Sequence, residues 1–526
     1  MPTLDWIGKE AVLKHHKDVP FRLLNHISKL SYGDPVSGNM LIEGDNLEAL
    51  KALLPYYKGK VKCIYIDPPY NTGNEHWIYN DNVNSPQMKK WLGKIVDRDD
   101  LSRHDKWLCM LYPRLKLLKN FLDKSGSIWV SIDDSEVQNM RIMLDDIFGK
   151  DKFIACNVWQ KRYSRENREA IGDVHEYILV YAIEPKLFKN VRNRVTPTET
   201  QLKVYKNPNN DPKGRWRPIP MNAQGYRPNQ MYPIKTPSGA VHHPPEGRCW
   251  SMIEQEYKKL LSKKRIYFGK NNDSQPNVIR YIDEVEGFVP WTWWPNEEVG
   301  HTDEAKKEIH ALFGKDNAFD TPKPERLIQR ILEIATNPND IVLDSFLGSG
   351  TTVAVAQKMG RHYIGVEMEK HAETLCAIRL KKVVNGEQGG ISKTIDWTGG
   401  GGYNYYRLGE TVFSADGKIN PDISFTDLAR HLFFNALNTP IPDESQLGKS
   451  PLLGIYNNVA VYLLYNGILK DKTPNGGNAL TRAILASLPK HSGSKIIFGT
   501  SNRLSPKTLK LNNITFRQIP YQIRVD

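Results

Sequence analysis

The sequence predicts an α/β fold, a Rossmann-like, mostly parallel sheet covered by helices on both faces. Three observations predict it. Short apolar strand-like runs alternate with amphipathic helical segments from about residue 40 to 185. The alternation stops over 186–318 and resumes from 319. In the second block a glycine loop joins a strand directly to a helix.

Taken in order, 1–39 reads as an N-terminal extension. MLIEG is then a short strand, NLEALKALLPYY a helix, and VKCIYID a buried strand. HDKWLCMLYPRLKLLKNFLDK has helical apolar spacing, with Pro113 expected to kink it or mark its first turn. SGSIWVSID is a strand, and SEVQNMRIMLDDIFG an amphipathic helix with Ser135 placed to cap it. FIACNVW and HEYILVYA read as two further strands, a hairpin at one sheet edge. Residues 186–318 are rich in Pro, Gly, Asn, Arg and Lys, carry Trp216, Trp250, Trp291, Trp293 and Trp294, and do not read as an α/β unit. PKPERLIQRILEIAT is a helix, and DIVLDSFLGSGTTVAVAQKMG with HYIGVEME gives strand, glycine loop, helix, strand. Gly399 to Gly402 form a hinge or tight turn, and 399–526 is expected to be a small separate α/β domain.

The chain has 526 residues, enough for about three domains. Hydrophobic residues at 40% and charged residues at 25% describe an ordinary globular chain, with no run approaching the roughly 20 apolar residues of a membrane span. The start has no apolar core and no cleavage-site pattern, which points away from secretion and toward the cytoplasm. Cys63, Cys109, Cys156, Cys249 and Cys376 are odd in number and contain no C-x-x-C pair, as in a reduced compartment. His242, His243 and Cys249 are the nearest approach to a metal cluster, and solvated loop histidines explain them as well, so no metal is expected. A net charge of +13 suits a polyanionic partner, although basic charge can also serve solubility alone.

Two motifs carry chemistry. Asp67-Pro68-Pro69-Tyr70 ends a buried strand, where ligands bind in open α/β sheets. It suits an exocyclic amine, whose lone pair is delocalised into its ring. A carboxylate from Asp67 and the Pro68 carbonyl can each accept one N–H and aim the lone pair at a methyl donor. The prolines stiffen the backbone, and Tyr70 offers a face for an extruded base. A strand-ending turn accounts for the same residue types. The second motif is Asp344, Phe346, Gly348, Gly350, Thr351 and Thr352 in DSFLGSGTT. It lacks the Lys of a phosphate-binding loop and the third glycine of a dinucleotide fingerprint. Glu367 closes the following strand, where an acidic side chain grips ribose hydroxyls. The pair suits an adenosine moiety without a pyrophosphate, and a plain strand–helix turn is the competing explanation.

Together the motifs resemble the catalytic and cofactor motifs of DNA amino-methyltransferases, in the circularly permuted order of the beta class. IEGDNLEAL, YIDPPYNTGNEHWIYND, MYPRLKLLKNFL, SIDDSEVQNM, VHEYILVYA, PPEGRCW, FDTPKPERLIQRIL and GGGGYNYYRLGE look like the modification (Mod) subunits of type III restriction–modification systems. The resemblance covers most of 40–410; the last hundred residues match less closely. It implies a permuted seven-stranded sheet split into a catalytic half, 40–185, and a cofactor half, 319–398, around a target-recognition domain, 186–318. It also implies S-adenosyl-L-methionine, adenine N6 in double-stranded DNA reached by base flipping, a helicase-type restriction partner, a homodimer and a nucleoid-associated prokaryotic setting. Asp45 then falls at the mouth of the site, and Lys323-Pro324 matches the segment over the cofactor's methionine end, although Pro also favours a first helical turn.

Several residues have two readings. Phe346 lines the cofactor pocket or packs in the core; Trp159 packs near the flipped base or in the core. Trp216 and the other tryptophans of 216–294 stack on DNA or fill a core. Asn71, Thr72, Asn74 and Tyr79 would face DNA or cofactor. Arg162, Arg165 and Arg168, with Lys161, form a phosphate-contacting cluster or a solvated loop. Two other functions fit the same residues: methylation of another planar amine (N4 of cytosine, an RNA base, a protein glutamine), or a catalytically silent DNA-recognition subunit of a defence assembly.

Overall fold

In the computed structural model the alternating segments build one eleven-stranded sheet. The structure describes residues 4–71, 103–164, 170–197, 202–208, 210–314, 321–368, 370–413, 423–445, 447–470, 472 and 477–519. In chain order the sheet strands are β1 (Arg22–His26), β2 (Tyr32–Gly33), β3 (Met40–Glu43), β4 (Val61–Ile66), β5 (Leu122–Ile132), β6 (Phe153–Gln160), β7 (His175–Ala182), β8 (Trp293–Trp294), β9 (Ile341–Asp344), β10 (His362–Glu367) and β11 (Gly402–Thr411). Their spatial order is β1-β11-β3-β10-β9-β4-β5-β7-β6-β8, with β2 on β11. From β3 to β5 every pairing is parallel; β7 then runs antiparallel between β5 and β6. The seven expected strands are the stretch from β3 to β6. The extra ones come from segments the sequence reading left out of the sheet: β1 and β2 from the N-terminal extension, β8 from 186–318, and β11 from beyond the glycine run.

The central residues of the strands in the parallel block are mostly apolar because both sheet faces are covered. Leu41, Ile42, Ile64, Ile66, Leu343, Ile364 and Val366 are all buried. The helix Asn46–Tyr57 starts on Asp45, whose carboxylate accepts from the N–H groups of Leu47 and Glu48, and buries Leu47, Leu50, Leu53 and Leu54 along one face. The helix Arg103–Phe121 runs through Pro113, which therefore lies in its interior and not in its first turn. The helix Val137–Phe148 buries Met140, Met143, Leu144 and Ile147 at helical spacing. Ser135 does not cap it: that residue turns back to Asp133, Glu136 holds the cap position, and no side chain accepts from the backbone N–H groups of the first turn. Among the described residues no helix is long and apolar enough to cross a membrane.

The chain divides into two units, Met1–Asn193 with Trp291–Asp526, and Arg194–Pro290. The second unit holds the antiparallel set Ile266–Tyr267, Asn277–Tyr281 and Trp216–Pro220, two small strand pairs and the helix Glu254–Ser262. Its core is Met221, Ile234, Trp250, Tyr257 and Phe268, with Trp216, Ile279 and Tyr281 beside it. The flanks of 186–318 belong to the first unit, where Pro185–Val191 and Thr302–Phe313 are helices. Beyond β11, four strands between Leu452 and Gln518 form a separate small sheet. The helix Phe425–Leu437 joins it to the main core: His431 meets the rings of Phe21 and Phe413 edge-on or tilted, and Asp427 accepts from the Tyr56 hydroxyl at 3.0 Å.

Candidate active site

Adjacent parallel strands end on one edge of the sheet, and three acidic residues stand there. Asp67 follows β4, Asp344 ends β9 and Glu367 ends β10. Ile64 pairs with Leu343 and Asp344 with Gly365, so the three strand ends are neighbours in register. Such an edge is where open α/β sheets hold ligands.

Asp67 is the hub of the first half. Its Oδ1 accepts from the Tyr70 hydroxyl at 2.8 Å and its Oδ2 from the Lys323 ammonium at 2.7 Å. Burial raises the Asp67 pKa, Lys323 works against that rise and Glu176 adds to it. Lys323 also lies 3.7 Å from Glu176 and over the Tyr70 ring, 5.0 Å from its centroid. Burial disfavours its charge, but Asp67 and Glu176 together lift its pKa above the ordinary value. Pro69 is pinned by Trp107, whose indole N–H donates to its carbonyl at 2.6 Å. Asn71 has a left-handed backbone (φ 59) and donates to the fully buried Glu136, which also receives the His104 ring and Asn139. The Asp-Pro-Pro-Tyr corner is thus fastened from three sides. Such fastening is what holding a poor nucleophile at a fixed angle requires.

The second half is the loop Ser345–Gly350. Asp344 accepts the Phe346 N–H at 2.9 Å, and Glu367 accepts the Gly348 N–H at 2.5 Å. Gly350 is left-handed (φ 79), a backbone conformation that strains a residue with a Cβ, so glycine is the residue that fits. Burial pushes Asp344 up to about 7 and Glu367 up to about 8. Behind the loop, Arg379 donates to Thr351 Oγ1 at 2.9 Å and to Glu325 at 2.8 Å, and Lys358 donates to the same Glu325 at 2.7 Å. Asn46 fixes the Ser345 carbonyl at 2.7 Å and is itself held by Arg114. From Ser345 to Thr352 the loop contains no Lys or Arg.

The expected site residues fall in several different settings. Lys323, expected over the cofactor's methionine end, stands in the Asp67 cluster, with its ammonium 2.7 Å from Asp67 and 3.7 Å from Glu176. Thr351 Oγ1 accepts from Arg379 and lies 3.2 Å from the Ser349 hydroxyl. Asp45 does stand at this sheet edge, two residues past the Glu43–Glu367 pair, with its carboxylate engaged by the helix cap and by Arg114 at 3.0 Å. Phe346 and Trp159 are both buried, and Trp159 donates to the Gly300 carbonyl. Trp216 is 2% exposed and stacks edge-on to Tyr267, so it fills the core of the second unit and presents no face to DNA. Trp250 and Trp294 are likewise buried, whereas Trp291 and Trp293 are exposed. Lys161 is paired with Asp173 at 2.7 Å, so it is not a free phosphate contact; Arg162 is exposed. Arg165, Arg168, Thr72, Asn74 and Tyr79 lie outside the described residues. His242 bonds the Asp273 carbonyl and Cys249 is buried against Gln230. Sequence reasoning missed Glu176, Glu136 and Arg379. The one signal for Glu176 was an acidic residue opening an otherwise apolar strand.

Residues 61–377 match the model of a DNA methylase family named for N6 and N4 methylation. The chain is 37% identical over 368 residues to the Mod subunit of the type III restriction-modification enzyme StyLTI of Salmonella typhimurium, covering 66% of this chain and 54% of that one. It is 28% identical over 436 residues to the EcoPI Mod subunit of Escherichia phage P1, covering 73% and 64%. The chain thus spans between about half and two thirds of these curated relatives. The solved PvuII DNA methyltransferase, described as cytosine-N4-specific, aligns over 65% of this chain and 86% of its own with a TM-score of 0.35 and 13% identity. The family match takes in the Asp67 corner, the glycine loop and Glu367. The chain belongs to the N6/N4 DNA methylase family.

Proposed function

We propose that the chain transfers a methyl group from S-adenosyl-L-methionine to N6 of adenine in duplex DNA, as the modification component of a restriction or defence system. One observation carries this reading: a carboxylate held from two sides, Asp67, shares a sheet edge with a phosphate-averse glycine loop and the buried Glu367.

The residues present fit the cofactor. Two carboxyl groups stand at the loop, none of its own residues from Ser345 to Thr352 is a Lys or Arg, and the nearby Arg379 is paired with Glu325, which disfavours a phosphate and favours a ligand that carries hydroxyls and a positive sulfur. Glu367 would take the ribose hydroxyls, and the Gly348–Gly350 backbone would let the adenosine approach. When bound, S-adenosyl-L-methionine supplies an electrophilic methyl group whose C–S bonding pair stays on sulfur. Asp67 accepts one amine N–H and turns the nitrogen lone pair toward the methyl. Tyr70 and Lys323 hold the carboxylate still, so little reorganisation accompanies the reaction. The new N–C bond uses the nitrogen lone pair, and one N–H proton leaves.

The chain order of the strands supports the permuted arrangement, since β3 and β4 precede β9 and β10 yet flank them in the sheet. The second unit, Arg194–Pro290, is the proposed reader of DNA sequence, with a helicase-type restriction subunit as the partner. Purified chain, tritiated S-adenosyl-L-methionine and unmethylated DNA test the chemistry. Label should enter N6-methyladenine, and Asp67→Ala should abolish incorporation while retaining cofactor affinity. Wild-type-like turnover by Asp67→Ala would remove the proposed site.

A further inference from the structure

Tyr70 has one hydroxyl hydrogen and two carboxylate neighbours. Its oxygen is 2.8 Å from Asp67 Oδ1 and 3.1 Å from Glu176 Oε2. With both carboxylates ionised, the hydrogen can satisfy only one of them, and the other faces a lone pair at hydrogen-bond distance. One ammonium, Lys323, serves both acids at 2.7 and 3.7 Å. A second, Lys161, lies 3.5 Å from Glu176 but is closer to Asp173 at 2.7 Å. The cluster therefore carries an excess negative charge and has room for one more proton on the Asp67–Tyr70–Glu176 line. Methyl transfer to an amine releases one proton at the Asp67 end of that line.

We infer that Glu176 is the second carboxylate of a proton-sharing pair with Asp67, joined through the Tyr70 hydroxyl, and that this pair receives the proton lost by the target amine. The inference rests on the methyl-transfer reading above. In the step, the amine N–H bond breaks and its electron pair stays on nitrogen. The proton joins Asp67, whose O–H then faces the Tyr70 oxygen while the Tyr70 hydrogen turns to Glu176. The pair gains one proton, and no oxidant or further reactant is needed. Glu176 does not touch the base; it is a positioning residue acting through Tyr70 and Lys323.

The groups facing Glu176 are Asp67, Tyr70 and Tyr65 from the end of β4, Asp133 from the end of β5, Lys161 from the end of β6, and Lys323 ahead of the helix Glu325–Ala335. Among the influences on Asp67, Glu176 is one that raises its pKa. Removing the Glu176 charge therefore lowers the pH at which Asp67 becomes ionised, and the acidic limb of the rate profile moves down.

Single-turnover methylation of duplex DNA by Glu176→Gln, Glu176→Asp and Tyr70→Phe, measured from pH 5.5 to 9 beside cofactor titrations, tests this. Proton transfer by a positioned group is worth roughly 100-fold or more, so Glu176→Gln should lose on the order of ten- to a hundred-fold in rate. Its acidic limb should shift to lower pH, its cofactor affinity should stay within about two-fold, and Glu176→Asp should recover part of the rate. Tyr70→Phe should lose rate and no longer respond to a second change at Glu176. A Glu176→Gln enzyme with wild-type rate and profile overturns the inference alone. So does a uniform loss at every pH accompanied by lost cofactor binding. A wild type that places no methyl on adenine overturns the function and this inference with it.

Discussion

Lys323→Met separates two accounts of one side chain. Met keeps the length of the lysine stem and removes its charge. In the structure that charge is 2.7 Å from Asp67 and 3.7 Å from Glu176, on a side chain that is 10% exposed. Removing one partner of a buried pair costs about 3–5 kcal/mol, and the 22% exposure of the Asp67 side chain points to the lower end, about 3 kcal/mol. The cost should depend on pH. Burial already holds Asp67 above its ordinary value and Lys323 opposes that, so the variant raises it further. A raised carboxyl binds its proton more tightly folded than unfolded, so stability falls as pH climbs from the unfolded value through the folded one. The variant should thus be close to wild type in urea unfolding at pH 5 and lose most of the 3 kcal/mol at pH 8. Its methyl-transfer rate should drop at neutral pH and recover partly toward pH 9, as Asp67 is finally ionised. Cofactor affinity by calorimetry should change little. A Lys323→Met enzyme with an unshifted rate profile and a ten-fold weaker cofactor would refute the assignment and return Lys323 to the cofactor's methionine end.

Two further outcomes are expected. Glu367→Gln should weaken S-adenosyl-L-methionine by roughly ten-fold or more, as a charge-assisted acceptor is lost. In the free protein the same change should stabilise at pH 8 relative to pH 5 by about 4 kcal/mol, three pH units at about 1.4 kcal/mol each, because burial pushes Glu367 up to about 8 and its ionisation opposes folding above its unfolded value; a pH-independent effect in urea melts would contradict this. Exchanging Arg194–Pro290 for the corresponding unit of a relative should redirect methylation to a different adenine-containing sequence with cofactor affinity nearly unchanged. A folded chimera that still modifies the original sequence would locate recognition elsewhere.

Much of the parallel block was legible in the sequence, since strands buried on both faces are continuous apolar runs and helices repeat every 3.6 residues. Asp67 and Glu367 were legible for the same reason: each follows or ends such a run, where the chain must turn. What sequence could not give was pairing between distant segments. β1 is placed only by its register on β11, β11 in turn by pairing with the distant β3, and the two-residue β8 is too short to show a period. The helix Thr302–Phe313 was hidden among the Pro, Gly and Asn residues of 186–318. Trp216 and Trp293 are the same residue type in the same stretch, yet one is buried and the other exposed, a difference that only tertiary packing decides. Lys323 and Glu176 show the limit most directly. Lys323 was read at the cofactor's methionine end and Glu176 was not singled out, yet the two meet at Tyr70, a juxtaposition that no local pattern encodes.

The central claim is that Asp67 and its neighbours methylate adenine N6. Its most direct test is methylation-sensitive long-read sequencing of DNA from a methylation-free host expressing the chain, beside an Asp67→Ala control. The account predicts N6-methyladenine confined to one recognition sequence in the wild type and absent from the control. N4-methylcytosine in its place, or adenine methylation that survives Asp67→Ala, would contradict it.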